Sequence, residues 1–232
     1  LREIMSKPLI HPTTGNYQVF IPMVQPVEFS KRELPLDPYL LGVLLGDGSL
    51  TKSTIFFTSC DQEILDEVVR LLPEGVTLKP HGRCNWFCSS DGRTKPDGLQ
   101  HALITLGLKG HLAAEKFIPD CYLYSGVQDR LALLQGLCDT DGSVSNNGAV
   151  EYVTISNELA LNIKELVQSL GGTVTLSRRI PIYMYKGEKR QGRLAYRLYI
   201  KLPSSIMPFR LSRKANIYRP AGKYEPHRSI VN

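Results

Sequence analysis

The densest apolar run of the chain lies in its first quarter, where Leu40, Leu41, Val43, Leu44 and Leu45 are interrupted only by Gly42 and followed by Gly46. Asp37 and Pro38 ahead of it make a helix start, the first as a cap and the second as a first-turn residue. The run predicts a helix apolar nearly all round, and therefore buried. Gly42 and Gly46 fall one turn apart on one face, and each costs about 1 kcal/mol relative to Ala inside a helix. Close backbone contact with a second helix would offset that cost. Gly48 suits a left-handed C-terminal stop. Asp47 is then held at the helix end beside the last carbonyls, where the helix dipole disfavours an anion. Stability explains an acid there poorly.

A matching pattern recurs at Leu134 to Val144, LQGLCDTDGSV. With the acids aligned, Gly42 meets Gly136, Gly46 meets Thr140, Asp47 meets Asp141, and DGS repeats unchanged. Downstream, the helical patterns DQEILDEVVRLL and NELALNIKELVQSL precede TLK and TLS. Such a repeat, about half a domain long, predicts a pseudo-twofold molecule. Its two small-residue helices would pack on the axis and bring Asp47 and Asp141 out side by side.

Each half reads as helix, strand pair, helix, strand pair. In the first, TIFFTS is a strand, Ser59 or Asp61 caps the next helix, and Pro73 with Gly75 ends it. Strands near VTLKP and LQHALITL then bracket a long loop, HGRCNWFCSSDGRTKPDG. In the second, VEYVTIS is a strand, Asn157 a cap and Gly171-Gly172 a stop; TVTLSRRIPIYMY and RLAYRLYIK flank KGEKRQG, a charged turn. Alternation places Leu194, Tyr196, Leu198 and Ile200 on one face and Arg197, Tyr199 and Lys201 on the other. Thr175, Ser177 and Arg179 share that polar face, with Thr77, Lys79 and His81 as counterparts in the first half. The segment before Leu34 has strand character in YQVFIPMVQPVEF, broken by Pro22 and Pro26.

Charge adds a direction to this plan. The net charge of +6 conceals an asymmetry: residues 178–232 hold 14 Lys or Arg against Glu188 and Glu225, a local +12, so the chain before them sums to −6. A basic second half implies a polyanionic partner. A two-stranded ribbon fits the major groove of B-DNA, where Arg, Lys, Ser and Thr reach base edges and phosphates. A solvated outer sheet face is the alternative. Lys186, Lys189, Arg190 and Arg193 at the hairpin tip suit phosphates better than bases. Hydrophobic content of 42% and charged content of 22% are ordinary for a globular chain. No stretch is apolar enough to cross a membrane, and no signal peptide is visible. Five cysteines, an odd count without a secretion signal, are expected to be reduced thiols in an intracellular setting, cytoplasm or nucleoid. Cys84 and Cys88 in CNWFC form half of a zinc pattern that lacks a second pair.

The stretches LLGVLLGDG and LQGLCDTDG resemble the paired motifs of LAGLIDADG homing endonucleases in the single-chain, two-repeat form, a likeness that runs from Leu34 to Tyr218. It implies an α+β fold of two pseudo-symmetric αββαββ repeats, residues 34–124 and 125–218. They would pack through the paired motif helices, with antiparallel sheets forming a DNA-binding saddle, an attached segment at 1–33 and a tail at 219–232. It implies a monomer that makes a double-strand break in a long double-stranded DNA target by Mg2+-dependent hydrolysis, with two or three divalent ions and Mn2+ as a substitute. Asp47 and Asp141 would be the catalytic acids and, with Gly46 and Thr140, the metal ligands. Leu45 departs from the motif where the second copy has Asp139; the essential acid is the later one, so Asp139 gains no such role. AAEKFIPD and FRLSRKANIY resemble the blocks that supply a basic residue beside each site, to stabilise phosphorane charge or help polarise the water, pointing to Lys116 and to Lys214, with Arg213 or Lys201 as alternatives to the latter. ELPLDPYLLG and KYEPHRSIVN resemble intein context, yet Leu1 is no splicing nucleophile and Asn232 follows Val231, so an intein-derived endonuclease without splicing activity is expected. The alternative within the fold is a non-catalytic nucleic-acid binder, an RNA-splicing maturase or a DNA-binding regulator.

Overall fold

The computed structural model describes residues 8–22, 24–52, 54–90, 92, 98–220 and 227–229. A short strand, β1 (Phe20–Pro22), precedes helix α1 (Pro38–Asp47), whose start is capped as its sequence demands: the Asp37 carboxylate accepts from the backbone N–H of Tyr39 at 2.8 Å and of Leu40 at 3.3 Å. The chain continues through β2 (Gly48–Ser49), β3 (Phe56–Thr58), α2 (Gln62–Leu71), β4 (Val76–Pro80), β5 (Asn85–Ser90) and α3 (Gly98–Thr105). After the short α4 (Asp120–Leu123), the plan repeats as α5 (Val127–Thr140), β6 (Gly142–Val144), β7 (Val150–Thr154), α6 (Asn157–Ser169), β8 (Thr173–Arg179) and β11 (Ala195–Lys201). A separate hairpin, β9 (Ile182–Tyr185) and β10 (Glu188–Gln191), is inserted between the last two strands, and α7 (Ser212–Ala215) and β12 (His227–Ser229) follow. The two four-stranded antiparallel sheets share one order, β2-β3-β5-β4 in the first repeat and β6-β7-β11-β8 in the second. Each repeat is thus the expected αββαββ unit followed by further helical structure, with the β9–β10 hairpin inserted in the second.

Three sequence expectations change here. LQHALITL is a helix, because Leu99, Ala102 and Leu103 are its buried residues, a three-and-four spacing that one helical face satisfies. The return strand is β5 instead, drawn from what reads as loop; its Phe87 and Trp86 pair across from Phe56 and Phe57. The charged turn shrinks to Lys186 and Gly187, both at positive φ (50° and 85°), and Glu188–Gln191 pair with β9. Gly48 is not left-handed: at φ −79° it leads straight into β2, and glycine is required because a Cβ would lie 2.3 Å from the Leu44 carbonyl oxygen.

Capping differs slightly too. Ser156, not Asn157, caps α6, accepting from Leu159 N–H at 3.1 Å. Asp61 stands at the start of α2, but its carboxylate is taken by Arg213. The N-terminal segment is tied to the second repeat by Val27 N–H on the Ser169 carbonyl and by the buried Arg130, which donates to Ser125, Ser169 and Val27 and stacks on Phe29. Strand β1 pairs with β12; most of the tail 219–232 lies outside the described residues.

The cysteine expectation also falls. Cys60 and Cys84 form a disulfide, while Cys88, Cys121 and Cys138 are free. The two bonded residues lie 24 apart, just beyond the ends of β3 and β5, and the pairing of those strands sets their Cα atoms 4.9 Å apart.

Candidate active site and nucleic-acid face

The site begins with the contact between α1 and α5. Each glycine of the crossing faces backbone: a Cβ on Gly42 would lie 2.4 Å from the Leu133 carbonyl oxygen, and one on Gly136 2.2 Å from that of Tyr39. One turn on, a Cβ on Gly46 would meet the Thr140 hydroxyl at 2.0 Å. The helices therefore touch along the small-residue stripe down to the residues before the two acids. Asp47 and Asp141 leave this crossing close enough to repel. Desolvation first, and then the charge of Asp141, push the Asp47 pKa up from 3.8 to about 6. Asp141 is also raised, mainly by desolvation, although it keeps an open path to solvent; the crowding is that of a concave surface.

Two buried lysines complete the site in matching ways. Lys116 Nζ donates to the carbonyls of Leu44, Leu45, Gly46 and Gly48 at 2.7–3.3 Å. Lys214 Nζ donates to those of Cys138, Asp139, Thr140 and Gly142 at 2.6–3.1 Å. Every acceptor in one set is the repeat counterpart of an acceptor in the other. Each ammonium thus caps the C-terminal end of a motif helix, where a cation complements the dipole. This resolves the electrostatic objection to Asp47 and Asp141, since each acid has a lysine in its field. Burial lowers the Lys116 pKa to about 8 and lowers that of Lys214 as well. The lysine segments are braced from the opposite repeat: Ser156 donates to the Lys116 carbonyl, while Arg213 and Ser212 engage Asp61, just before α2, and Glu63 in its first turn.

Asp139 is engaged by the surrounding framework. It is buried and accepts from the Tyr39 hydroxyl at 2.9 Å and from the backbone N–H groups of Arg210 and Leu211. Among the described residues no cluster of three or more His, Cys, Asp or Glu is positioned to hold a metal. Any cation here would rest on two carboxylates and motif-end carbonyls, an all-oxygen donor set. That suits Mg2+, which retains waters and takes substrate phosphates. The Gly46 and Thr140 carbonyls each accept an ammonium hydrogen bond and keep one lone pair.

The polar sheet faces form as expected. Arg197 lies opposite Ser177, Tyr199 opposite Thr175, Ala195 opposite Arg179 and Lys201 opposite Thr173, so these side chains share one surface. Ser177 and Arg197 are half-buried; Thr175, Arg179, Tyr199 and Lys201 are exposed, as are Thr77, Lys79 and His81 in the first repeat and Lys186, Lys189, Arg190 and Arg193 on or beside the hairpin. Leu194, expected with the inward residues, is exposed because β11 starts one residue later. Arg197 is held toward Glu151 at 3.7 Å. The first sheet contributes an aromatic group the sequence reading missed: Phe56, Phe87 and His81 pack edge-on or tilted, with ring centres 5.3–6.0 Å apart, and Lys52 lies over Phe56. Alternation within NWFCSS would have revealed it had that stretch been read as a strand. On the hairpin, Arg190 sits over the Tyr185 ring at 4.5 Å, whereas Lys189 lies on the opposite ribbon face.

Residues 128–202 match the family described as LAGLIDADG-like domain. Over 190 residues, 82% of its length, the chain is 33% identical to the replicative DNA helicase DnaB of Mycobacterium intracellulare, covering 27% of that protein. It is 28% identical over 209 residues to the ATP-dependent DNA helicase Hel308 of Thermococcus kodakarensis, covering 80% of this chain and 18% of the helicase. The chain therefore spans little more than a quarter of the first relative and less than a fifth of the second. Among solved structures it is similar to I-DmoI in complex with DNA and Ca, at 14% identity and a TM-score of 0.47, with 78% of this chain and 95% of that one covered. It is also similar to the N-terminal LAGLIDADG domain of DUF199/WhiA, at 14% identity and a TM-score of 0.37, covering 82% and 84%. Residues 128–202 are thus a LAGLIDADG-like domain, and a first repeat of the same strand order is joined to them through glycine-packed motif helices.

Proposed function

We propose that this chain is a site-specific endonuclease that cuts both strands of a long DNA target with Mg2+, acting as a monomer, and that it derives from an intein. The observation that carries the reading is the pair of acids at the crossing. Asp47 and Asp141 repel one another in a desolvated position that stability does not require. Bound Mg2+ would relieve that repulsion, activate a water and neutralise the leaving oxygen of the phosphodiester. Asp47 and Asp141 would hold the ions, one acid for each strand. Lys116 and Lys214 fix the carbonyls beside them and supply positive charge next to the scissile phosphate. The polar sheet faces and the basic hairpin hold the duplex in register. The intein reading is supported by a match to minor portions of two differently named helicases. The direct test is cleavage of a plasmid library of candidate sites in Mg2+ and in EDTA. Metal-independent binding with no cleavage of any site would turn the reading to a non-catalytic DNA binder.

The raised Asp47 pKa gives a pH signature. In the metal-free fold a carboxyl at about 6, against an ordinary 3.8, keeps its proton longer than in the unfolded chain, so its contribution to stability falls as pH rises between those values. A cation needs the carboxylate and displaces the proton. Apparent Mg2+ affinity should therefore be steady above pH ~7 and fall by about tenfold per pH unit below ~6. Melting curves with graded MgCl2 at pH 5, 6 and 7 check this, and a pH-independent shift would remove Asp47 from the metal's ligands.

The hairpin and sheet should fail differently. Lys189→Ala and Arg190→Ala are expected to weaken binding to all sequences alike and to flatten the salt dependence by a slope of about one per lost phosphate contact. Arg179→Ala and Arg197→Ala should relax discrimination at a local base, by ~1–3 kcal/mol for a bidentate contact. Titrations against the cognate site and its single-base variants at several salt concentrations separate the two. Four unchanged variants would place the DNA elsewhere.

A further inference from the structure

The two halves of the site differ by one buried oxygen. Strand pairing sets Gly48, just after Asp47, opposite Phe57, and Gly142, just after Asp141, opposite Tyr152. Phe57 and Tyr152 are therefore counterparts, and both are buried beneath the motif ends, at 2% and 0% exposure. Phe57 needs no polar partner. The Tyr152 hydroxyl does, yet among the described residues it makes no hydrogen bond of proper geometry. A buried hydroxyl left in that state is unfavourable, and phenylalanine in its place would remove the problem. The group it faces is the Asp141 carboxylate: burial first, and then the Asp141 charge, keep the phenol neutral and so a hydrogen-bond donor. The pairing of Tyr152 with Gly142, the residue after Asp141, puts the two groups side by side, so that a small movement of the carboxylate, such as closure around a cation, would let the hydroxyl donate to it.

We propose that Tyr152 is a positioning residue for Asp141 that has no equivalent in the first repeat, so that the half-site built on Asp141 is the better organised and nicks its DNA strand first. The proposal rests on the endonuclease reading for its consequence, but not for the contact itself. A carboxylate with a fixed hydrogen-bond donor behind it presents its free oxygen to a cation in one orientation, and loss of such outer partners weakens metal sites by roughly tenfold or more. Asp47, with Phe57 in the matching place, lacks that support.

The variant Tyr152→Phe copies the first repeat and removes only an oxygen with no proper hydrogen bond, so the metal-free protein should fold with an unchanged or raised melting temperature. Two readouts then apply. In DNA-free protein, the concentration of Ca2+ or Mg2+ giving half-maximal thermal stabilisation should rise roughly tenfold in Tyr152→Phe. On a duplex labelled at both 5′ ends, wild-type protein should nick one strand first, and Tyr152→Phe should slow that nick selectively and bring the two rates together. Phe57→Tyr should speed the slower strand. An unchanged cation midpoint together with an unchanged strand ratio in Tyr152→Phe would overturn the proposal. If wild-type protein cuts no DNA, the endonuclease reading fails by itself, and the cation midpoint alone decides the role of Tyr152: a rise supports it and no change overturns it.

Discussion

Asparagine in place of Asp47 or Asp141 will abolish double-strand cleavage while DNA binding persists. Removing one carboxylate takes away half of the acidic donor set at the crossing, where the described residues offer no third acid to take over. The loss should reach about 10²–10³-fold or more, the scale for deleting a group aimed at charge developing in a transition state. The same substitution removes one of two repelling charges, so the metal-free variants should melt at or above the wild-type temperature. That pairing of lost activity with retained stability separates a metal-binding role from a structural one. Asp139→Asn is the control. Its carboxylate is engaged by Tyr39, Arg210 and Leu211, so the effect should fall on stability and leave cation affinity near wild type. Single-turnover cleavage, gel-shift affinity in Ca2+ and melting curves on the three variants make the measurement. Near-normal cutting of both strands by Asp47→Asn or Asp141→Asn would end the metal assignment.

The second large effect is on folding. Gly42→Leu should leave little folded protein, and Gly42→Ala and Gly136→Ala should already be severely destabilised. The atoms a Cβ would strike are backbone, the Leu133 and Tyr39 carbonyl oxygens, at 2.4 and 2.2 Å, so no rotamer change relieves the clash. Overpacking costs ~1–3 kcal/mol where side chains can shift, and these two positions belong at or beyond the upper end. About 3 kcal/mol corresponds to a melting-temperature drop of roughly 6–12 °C in a domain this size. Gly46→Ala offers a graded comparison, because its Cβ would meet the Thr140 side chain, which a second change, Thr140→Gly, removes. The double variant should recover much of the stability that Gly46→Ala loses. A Gly42→Leu protein with an unchanged melting temperature would mean that the helices do not cross at this stripe.

The repeat, the two glycine-bearing helices, the acids at their ends and the alternating basic strands are all legible in the amino-acid order. Each is written in residues close together in the chain, as a helical period, a two-residue alternation or a motif copied further on. The lysines show where that legibility stops. AAEKFIPD and FRLSRKANIY single out Lys116 and Lys214, but the four carbonyls each one caps lie about 70 residues away, and only the folded chain brings them to one ammonium. The Cys60–Cys84 bond, the return strand in NWFCSS and the extended φ of Gly48 follow the same rule, for each depends on which strand lies alongside. LQHALITL went to helix because burial on one side selects a three-and-four spacing that a short apolar stretch does not reveal alone. The difference between Phe57 and Tyr152 is plain in the letters yet carries no meaning until strand register sets both beneath the acids. Local order determined the elements and the chemistry at their tips. Contacts between distant segments decided which charges are neutralised, which polar groups are left unpaired and how the two halves differ, because those energies depend on distances that exist only after the chain has folded.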